Sequence, residues 1–389
     1  MQLNLTLELA TPRSVYMILL ITRVSLNSLW ILATTSHASR RFAMATAKRP
    51  RTLDAFFSPP ATKKSKTSQS TATNGMIQEE KSDETATQGD NNSFQEHSIH
   101  PTYPFAVPHL PPSISELLNF APAAEARAIS NAPDLDLLYY EPYIPKEITL
   151  DLFHHLRHNL FFYRVTYPIK RGPVETIINT PRYTTVFGVD ATAYFAPEDN
   201  NTLLDSTTHK PLPSSTYKCH PRPLPQSLER LKSLTERTTG ESFNFALVNY
   251  YADGKDSISY HSDDERFLGP EPAIASFSLG ARRDFLMKHK PTAEKHESET
   301  KPLKLPLGSG DMVLMRGRTQ GCWLHSIPKR VGKGDQAGMG RINVTFRRAI
   351  VKGGTENYYR YNVGDGGVWK WDGGSREMRP WYEGEGEGK

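Results

Sequence analysis

The run Ser259-Tyr-His-Ser-Asp-Asp-Glu265 places His261 and Asp263 two residues apart, directly after an alternating apolar and polar stretch. In an extended strand such residues project from one face, so the imidazole and the carboxylate aim into the same space. A second imidazole, His325 in Trp-Leu-His-Ser-Ile-Pro, stands at the end of another strand-like run. Two imidazoles and one carboxylate can take three adjacent positions on an octahedral iron and leave three for substrate and oxygen, the arrangement of non-haem Fe(II) oxygenases. A charged turn closing a hairpin would also carry His261, Asp263, Asp264 and Glu265, and a His-x-Asp pair does not by itself decide between the two.

The segment Arg341-Ile-Asn-Val-Thr-Phe-Arg347 weighs toward the metal. Arg341, Asn343, Thr345 and Arg347 share one strand face, and Ile342, Val344 and Phe346 the other. Two arginines on an inward face are costly unless paired with anions. A dianionic co-substrate meets that need, because guanidinium forks match carboxylates. Asn249 and Tyr251 add polar groups on one face of the nearby run Phe243–Tyr251. The expected ligand is 2-oxoglutarate.

Strands must position these side chains. After Gly240 the hydrophobic period changes from helical to two. Strands are predicted in Phe-Asn-Phe-Ala-Leu-Val-Asn-Tyr-Tyr and, after an Ala-Asp-Gly-Lys-Asp-Ser turn, in Ile-Ser-Tyr-His-Ser-Asp. A hairpin is predicted from Ala-Ile-Ala-Ser-Phe-Ser-Leu-Gly and Arg-Arg-Asp-Phe-Leu-Met-Lys-His, and further strands at Asp311–Met315 and Gly340–Val351. Upstream, Ser113 and Glu116 stand at capping-box spacing. Leu152, Phe153, Leu156 and Leu160 mark one helical face, with His154, His155 and His158 as surface or packing residues. A further helix is bracketed by Pro225 and Gly240. Helices followed by short strands give an α+β class: a sandwich or barrel buttressed on one side by N-terminal helices.

The ordered set of motifs from Phe243 to Arg347 resembles the AlkB family of Fe(II)/2-oxoglutarate-dependent dioxygenases, and most of all its nuclear DNA-alkylation-repair branch. The resemblance covers residues 150–350 and implies a double-stranded β-helix, or jelly-roll, core. It implies iron on His261, Asp263 and His325. It also implies 2-oxoglutarate held at its distal carboxylate by Arg341 with Tyr251, in a pocket completed by Asn249, Asn343, Thr345 and Arg347, and consumed with O2. The implied reaction is oxidative demethylation of 1-methyladenine and 3-methylcytosine in DNA. The same chemistry on RNA, and a non-catalytic nucleic-acid and sliding-clamp-binding protein, are the alternatives. For the substrate, the resemblance points to Asp264 and Glu265 facing the base, Tyr194 and Phe195 stacking on it, and Arg182 on a phosphate. Arg282, Arg283, Lys288 and Lys290 could track the backbone. Tyr167–Asn179 departs from a base-displacing finger, which leaves duplex against single-strand preference open.

The remaining chain sets the outer limits. It has 389 residues with a net charge of +5, and its two cysteines, Cys219 and Cys322, exclude a disulfide framework and a cysteine zinc cluster. Residues 1–43 are acid-poor and apolar but interrupted, so a membrane span is not expected. They read as a mitochondrial transit leader or as sequence ahead of a start at Met44. Residues 44–100 read as a basic, disordered tail and linker. Within it Leu53, Phe56 and Phe57 resemble the plug that docks on the sliding clamp PCNA, with Pro50 where that motif has Gln. The flanking basic runs suit nuclear import. A catalytic domain over 101–352 and a Gly/Trp-rich tail over 353–389 complete the expected partition, in a monomer.

Overall fold

The computed structural model describes residues 96–171, 174–291, 300–330 and 339–383. The leader, the linker up to residue 95 and the clamp-like residues Leu53, Phe56 and Phe57 lie outside the described residues.

Phe245–Tyr251, Arg341–Arg347 and Ile274–Gly280 lie side by side at the centre of a ten-stranded antiparallel sheet. Every residue of these three strands is buried. Their alternation therefore separates two interiors rather than an interior from solvent. Ile342, Val344 and Phe346 lie in the hydrophobic core. On that side the Lys146–Asn159 helix packs on the Ile274–Gly280 strand. Its face is Ile148, Leu152, Phe153 and Leu156, at helical spacing and fully buried. Each such side chain contributes about 1.5–3 kcal/mol of hydrophobic burial. The approach is close at Gly280: its φ is +88°, and a Cβ there would stand 2.7 Å from the Phe153 ring. Only glycine fits that turn.

A second, four-stranded antiparallel sheet runs Ile258–His261, Trp323–Ile327, Arg283–His289, Leu303–Leu307. From Phe245 onward the chain passes repeatedly between the two sheets. This corrects the hairpin expected from 273–280 and 282–289: the first strand has a partner on both edges in the large sheet, so the second must pair elsewhere. The helices are closer to expectation. Gln226–Thr239 stops at Gly240, whose left-handed φ of 73° lets its amide close on Glu236. Ser113 is not a cap, because Pro111 takes the cap position and the Pro112–Leu118 helix starts two residues earlier.

The aromatic tail folds back on this core. The Glu356–Asn362 helix is followed by Val368–Asp372 and Glu377–Pro380, which extend the large sheet through Phe162–Tyr163. The Arg157 guanidinium lies 3.9 Å from the centre of the Trp371 ring, a cation–π contact tying tail to helix. Among the described residues no helix is long and apolar enough to cross a membrane.

Candidate active site

Register brings the two histidines together. His261 and His325 are directly opposed on the antiparallel Ile258–His261 and Trp323–Ile327 strands, with ring centroids 4.2 Å apart. Asp263, just past its strand, sets Oδ1 4.0 Å from His261 Nε2 and Oδ2 3.7 Å from His325 Nε2. All three residues are buried, and their ligand atoms lie within 4.8 Å of one another. His261 Nδ1–H donates to the Ser259 carbonyl at 2.8 Å, so the Nε2 lone pair faces the carboxylate. Lone pair against anion is repulsive unless a cation lies between them. Burial lowers His261, and it lowers His325 to about 3 with help from His261 and against Asp263. Both rings are therefore neutral, the metal-binding form. Burial alone would raise the Asp263 carboxyl, but the Arg347 guanidinium outweighs it and holds the group below its ordinary value.

A cavity of about 530 Å³, including space open to solvent, lies against this triad. Asn249, Tyr251, Arg341, Asn343, Thr345 and Arg347 all line it. The two arginines differ in kind. Arg347 Nη2 donates to Asp263 Oδ2 at 3.0 Å, and its Nη1 donates to the Tyr358 hydroxyl. The anion it needs is thus inside the protein, which corrects the expectation that both guanidiniums await a co-substrate. Arg341, 1% exposed, donates through Nε and Nη2 to Ser278 Oγ at 3.1 and 2.6 Å, with Tyr251's ring 5.3 Å away. Its Nη1 has no hydrogen-bond partner among the described residues. Burial pulls this guanidinium down to about 10 despite Tyr251. It is a buried cation short of an anion. Asn343 Nδ2 donates to Ser276 Oγ and the Phe277 carbonyl at 2.9 and 2.7 Å, and Thr345 donates to the Leu247 carbonyl at 3.0 Å.

The substrate-side residues are placed less uniformly. Arg182 is buried and donates through Nε to Asn249 Oδ1 at 3.0 Å, so it lines the cavity instead of a phosphate track. Asp264 accepts from Lys290 Nζ at 2.7 Å. Glu265 is 4% exposed, and burial and Asp263 push its carboxyl up to about 7, against the hydrogen bond it accepts from the Tyr358 hydroxyl at 2.9 Å. Tyr194 meets His209 at 2.9 Å on the Ala193–Phe195 and Leu203–Asp205 hairpin, and Phe195 sets its ring edge-on to His100. None of these four lines the cavity. Arg283 is likewise turned inward onto the Asp256 and Pro328 carbonyls, and Lys290 onto the Gln320 carbonyl.

Sequence reasoning missed Ser276, Ser278, Tyr358 and Asn362. The serines were visible in principle: they alternate with Phe277 at the period that marked Arg341 and Asn343. Tyr358 and Asn362 come from a helix beyond the last core strand, and no local pattern points them at the site.

The donor set fits iron. Asp263 Oδ1 is buried without a hydrogen-bond partner, and it faces the neutral imidazoles. Arg341 Nη1, in the same cavity, fits a carboxylate. His261, Asp263 and His325 would hold the metal, and Arg341 the distal end of 2-oxoglutarate.

The family model described as "2OG-Fe(II) oxygenase superfamily" matches residues 136–347. The chain is similar to "Alpha-ketoglutarate-dependent dioxygenase alkB homolog 3" of Rattus norvegicus, 43% identical over 134 residues, which cover 34% of this chain and 44% of that protein. It is 40% identical over 132 residues to "DNA oxidative demethylase ALKBH2" of Homo sapiens, covering 34% and 49%. The protein of that name in Arabidopsis thaliana is 37% identical over 142 residues, covering 32% and 44%. The chain thus spans about half the length of the curated relatives it matches. A buried facial set of two histidines and an aspartate, an arginine awaiting a carboxylate and a family match across both lead to one assignment: this chain belongs to the 2OG-Fe(II) oxygenase superfamily.

Proposed function

We propose that the protein is an oxidative demethylase of N-alkylated bases in DNA, with 1-methyladenine and 3-methylcytosine as substrates, built on a double-stranded β-helix core. The observation that carries this reading is the neutral triad sharing one cavity with the unsatisfied Arg341. The relatives whose printed name is DNA oxidative demethylase support DNA as the substrate. Iron held by His261, Asp263 and His325 would activate O2, so that one oxygen atom goes into succinate as 2-oxoglutarate loses CO2 and the other into a methyl C–H bond. The N-hydroxymethyl group then leaves as formaldehyde and the ring nitrogen is restored, while succinate and CO2 carry away the rest.

The chain's own residues hold and orient. Arg341, fixed by Ser278, receives the distal carboxylate. Arg347 holds Asp263 through Oδ2 and leaves Oδ1 for the metal. Asn249, in register with Asn343 on the neighbouring strand, and Arg182 stiffen the same wall. A base must leave the stack to reach such a buried site. Nuclear action and clamp docking through Leu53, Phe56 and Phe57 are part of the proposal, supported by the basic runs around them.

The test is formaldehyde and succinate release by the full chain with Fe(II), 2-oxoglutarate and ascorbate. Duplex DNA, single-stranded DNA and RNA would each carry one 1-methyladenine, with His261→Ala as control. Methyl loss from DNA, abolished in the variant, is expected. Methyl loss from RNA alone would move the assignment to RNA. Binding of oligonucleotide without succinate would make the protein a non-catalytic binder.

A further inference from the structure

Among the described residues, one other group of side chains outside the active site brings metal-ligating atoms together. Asp134, His289 and Cys322, each half-buried, place a carboxylate oxygen, a ring nitrogen and a thiol sulfur within 4.8 Å of one another. We propose that these three residues form a second metal site that takes a thiophilic divalent cation of the zinc type.

The first argument is the imidazole. His289 Nδ1 lies 2.7 Å from the Lys290 carbonyl, which can only accept, so Nδ1 carries the proton. Its Nε2 faces Asp134 Oδ2 at 3.3 Å. A neutral ring donating Nδ1–H to a backbone carbonyl while presenting Nε2 is the way metal-bound histidines are oriented. The same arrangement exists at His261 and Asp263.

The second argument is the thiol. Without a metal the Cys322 thiol can donate to the Asp134 carboxylate, and with one its sulfur is offered to the same point as His289 Nε2. Cys322 completes a soft and borderline donor set that suits zinc with one position left for water. Asp134 is free to serve: Arg318 pairs with Oδ1 at 2.7 Å and leaves Oδ2 toward the site.

The third argument is rigidity. The indole of Trp323, next to Cys322, donates to the Pro133 carbonyl at 3.0 Å and so fixes the turn in which Asp134 has a φ of 58°. The Lys290 amide, next to His289, donates to the Cys322 carbonyl at 2.7 Å. His289 and Trp323 are paired across the two strands, as are Met287 and His325. A cation here clips the 133–134 turn to the end of the strand pair that presents His325.

Cobalt separates the two sites, because thiolate-bound Co(II) has a near-ultraviolet charge-transfer band that the His/Asp site cannot give. The full chain, titrated with Co(II), is expected to bind two equivalents and to show that band. Cys322→Ser should lose the band and one equivalent. His261→Ala should keep the band and lose the other equivalent, and Cys219→Ser should change neither. His289→Gln, which keeps the thiol, should weaken the band-forming site at least tenfold. Absence of the band in the full chain, or its survival in Cys322→Ser, overturns the proposal.

Discussion

Arg341 and Arg347 occupy equivalent faces of one strand, and their surroundings give them different tasks. Removing Arg341 as Ala takes charge-assisted hydrogen bonds of about 1.5–3 kcal/mol from the co-substrate. The KM for 2-oxoglutarate should rise roughly 10- to 100-fold with iron binding retained, read from succinate formation against co-substrate concentration. Arg347→Met leaves the buried Asp263 carboxylate without its cation, and loss of one partner from such a pair costs about 3–5 kcal/mol. Urea unfolding of the metal-free protein should show that loss, and Asp263→Asn in the same chain should restore part of it.

At the scale of elements, the helix layer and the tail hold the sheet that carries the site. Gly280 meets the Lys146–Asn159 helix so closely that Gly280→Ala would also put a methyl group 2.6 Å from the Gly340 carbonyl oxygen. Overpacking at a positive φ costs about 1–3 kcal/mol, so the thermal midpoint should fall while Gly240→Ala, with open space around it, loses less. The Glu356–Asn362 helix reaches the site through Tyr358, whose hydroxyl links Arg347 to Glu265. Tyr358→Phe leaves both groups short of a partner and should destabilise the fold by about 1–3 kcal/mol. The loss should be largest in metal-free protein, where no cation helps to hold Asp263.

For the molecule as a whole, buried neutral histidines set the response to acid. Burial, aided by Arg222 and opposed by Asp199, lowers His100 to about 4 from an ordinary 6.5. His325 is lowered further, to about 3. Above 6.5 these rings are neutral in both states and folding carries no proton cost. As pH falls below 6.5 the unfolded chain takes up protons that the folded chain refuses, so stability declines until the folded values are reached. The unfolding midpoint of metal-free protein should therefore drop between about pH 7 and pH 4.5, and His100→Gln should flatten that slope.

The strand period alone put His261 with Asp263 and Arg341 with Asn343, Thr345 and Arg347, because side-chain direction in a strand follows residue parity and needs no tertiary information. The helix ending at Gly240 was equally local, since a left-handed C-cap is a property of the glycine itself. Pairing was not local. Which strand lay beside Ile274–Gly280 depended on edges already taken by distant segments. That pairing set His261 opposite His325 and gave Arg347 the Asp263 carboxylate. It also turned Glu265, Arg182 and Lys290 inward, away from the surface roles their charges suggested. Sequence determined which residues could do chemistry and on which face they stood. Only the fold decided which of their charges were satisfied inside the protein and which, at Arg341, was left for a ligand, because satisfaction depends on neighbours that chain order does not reveal.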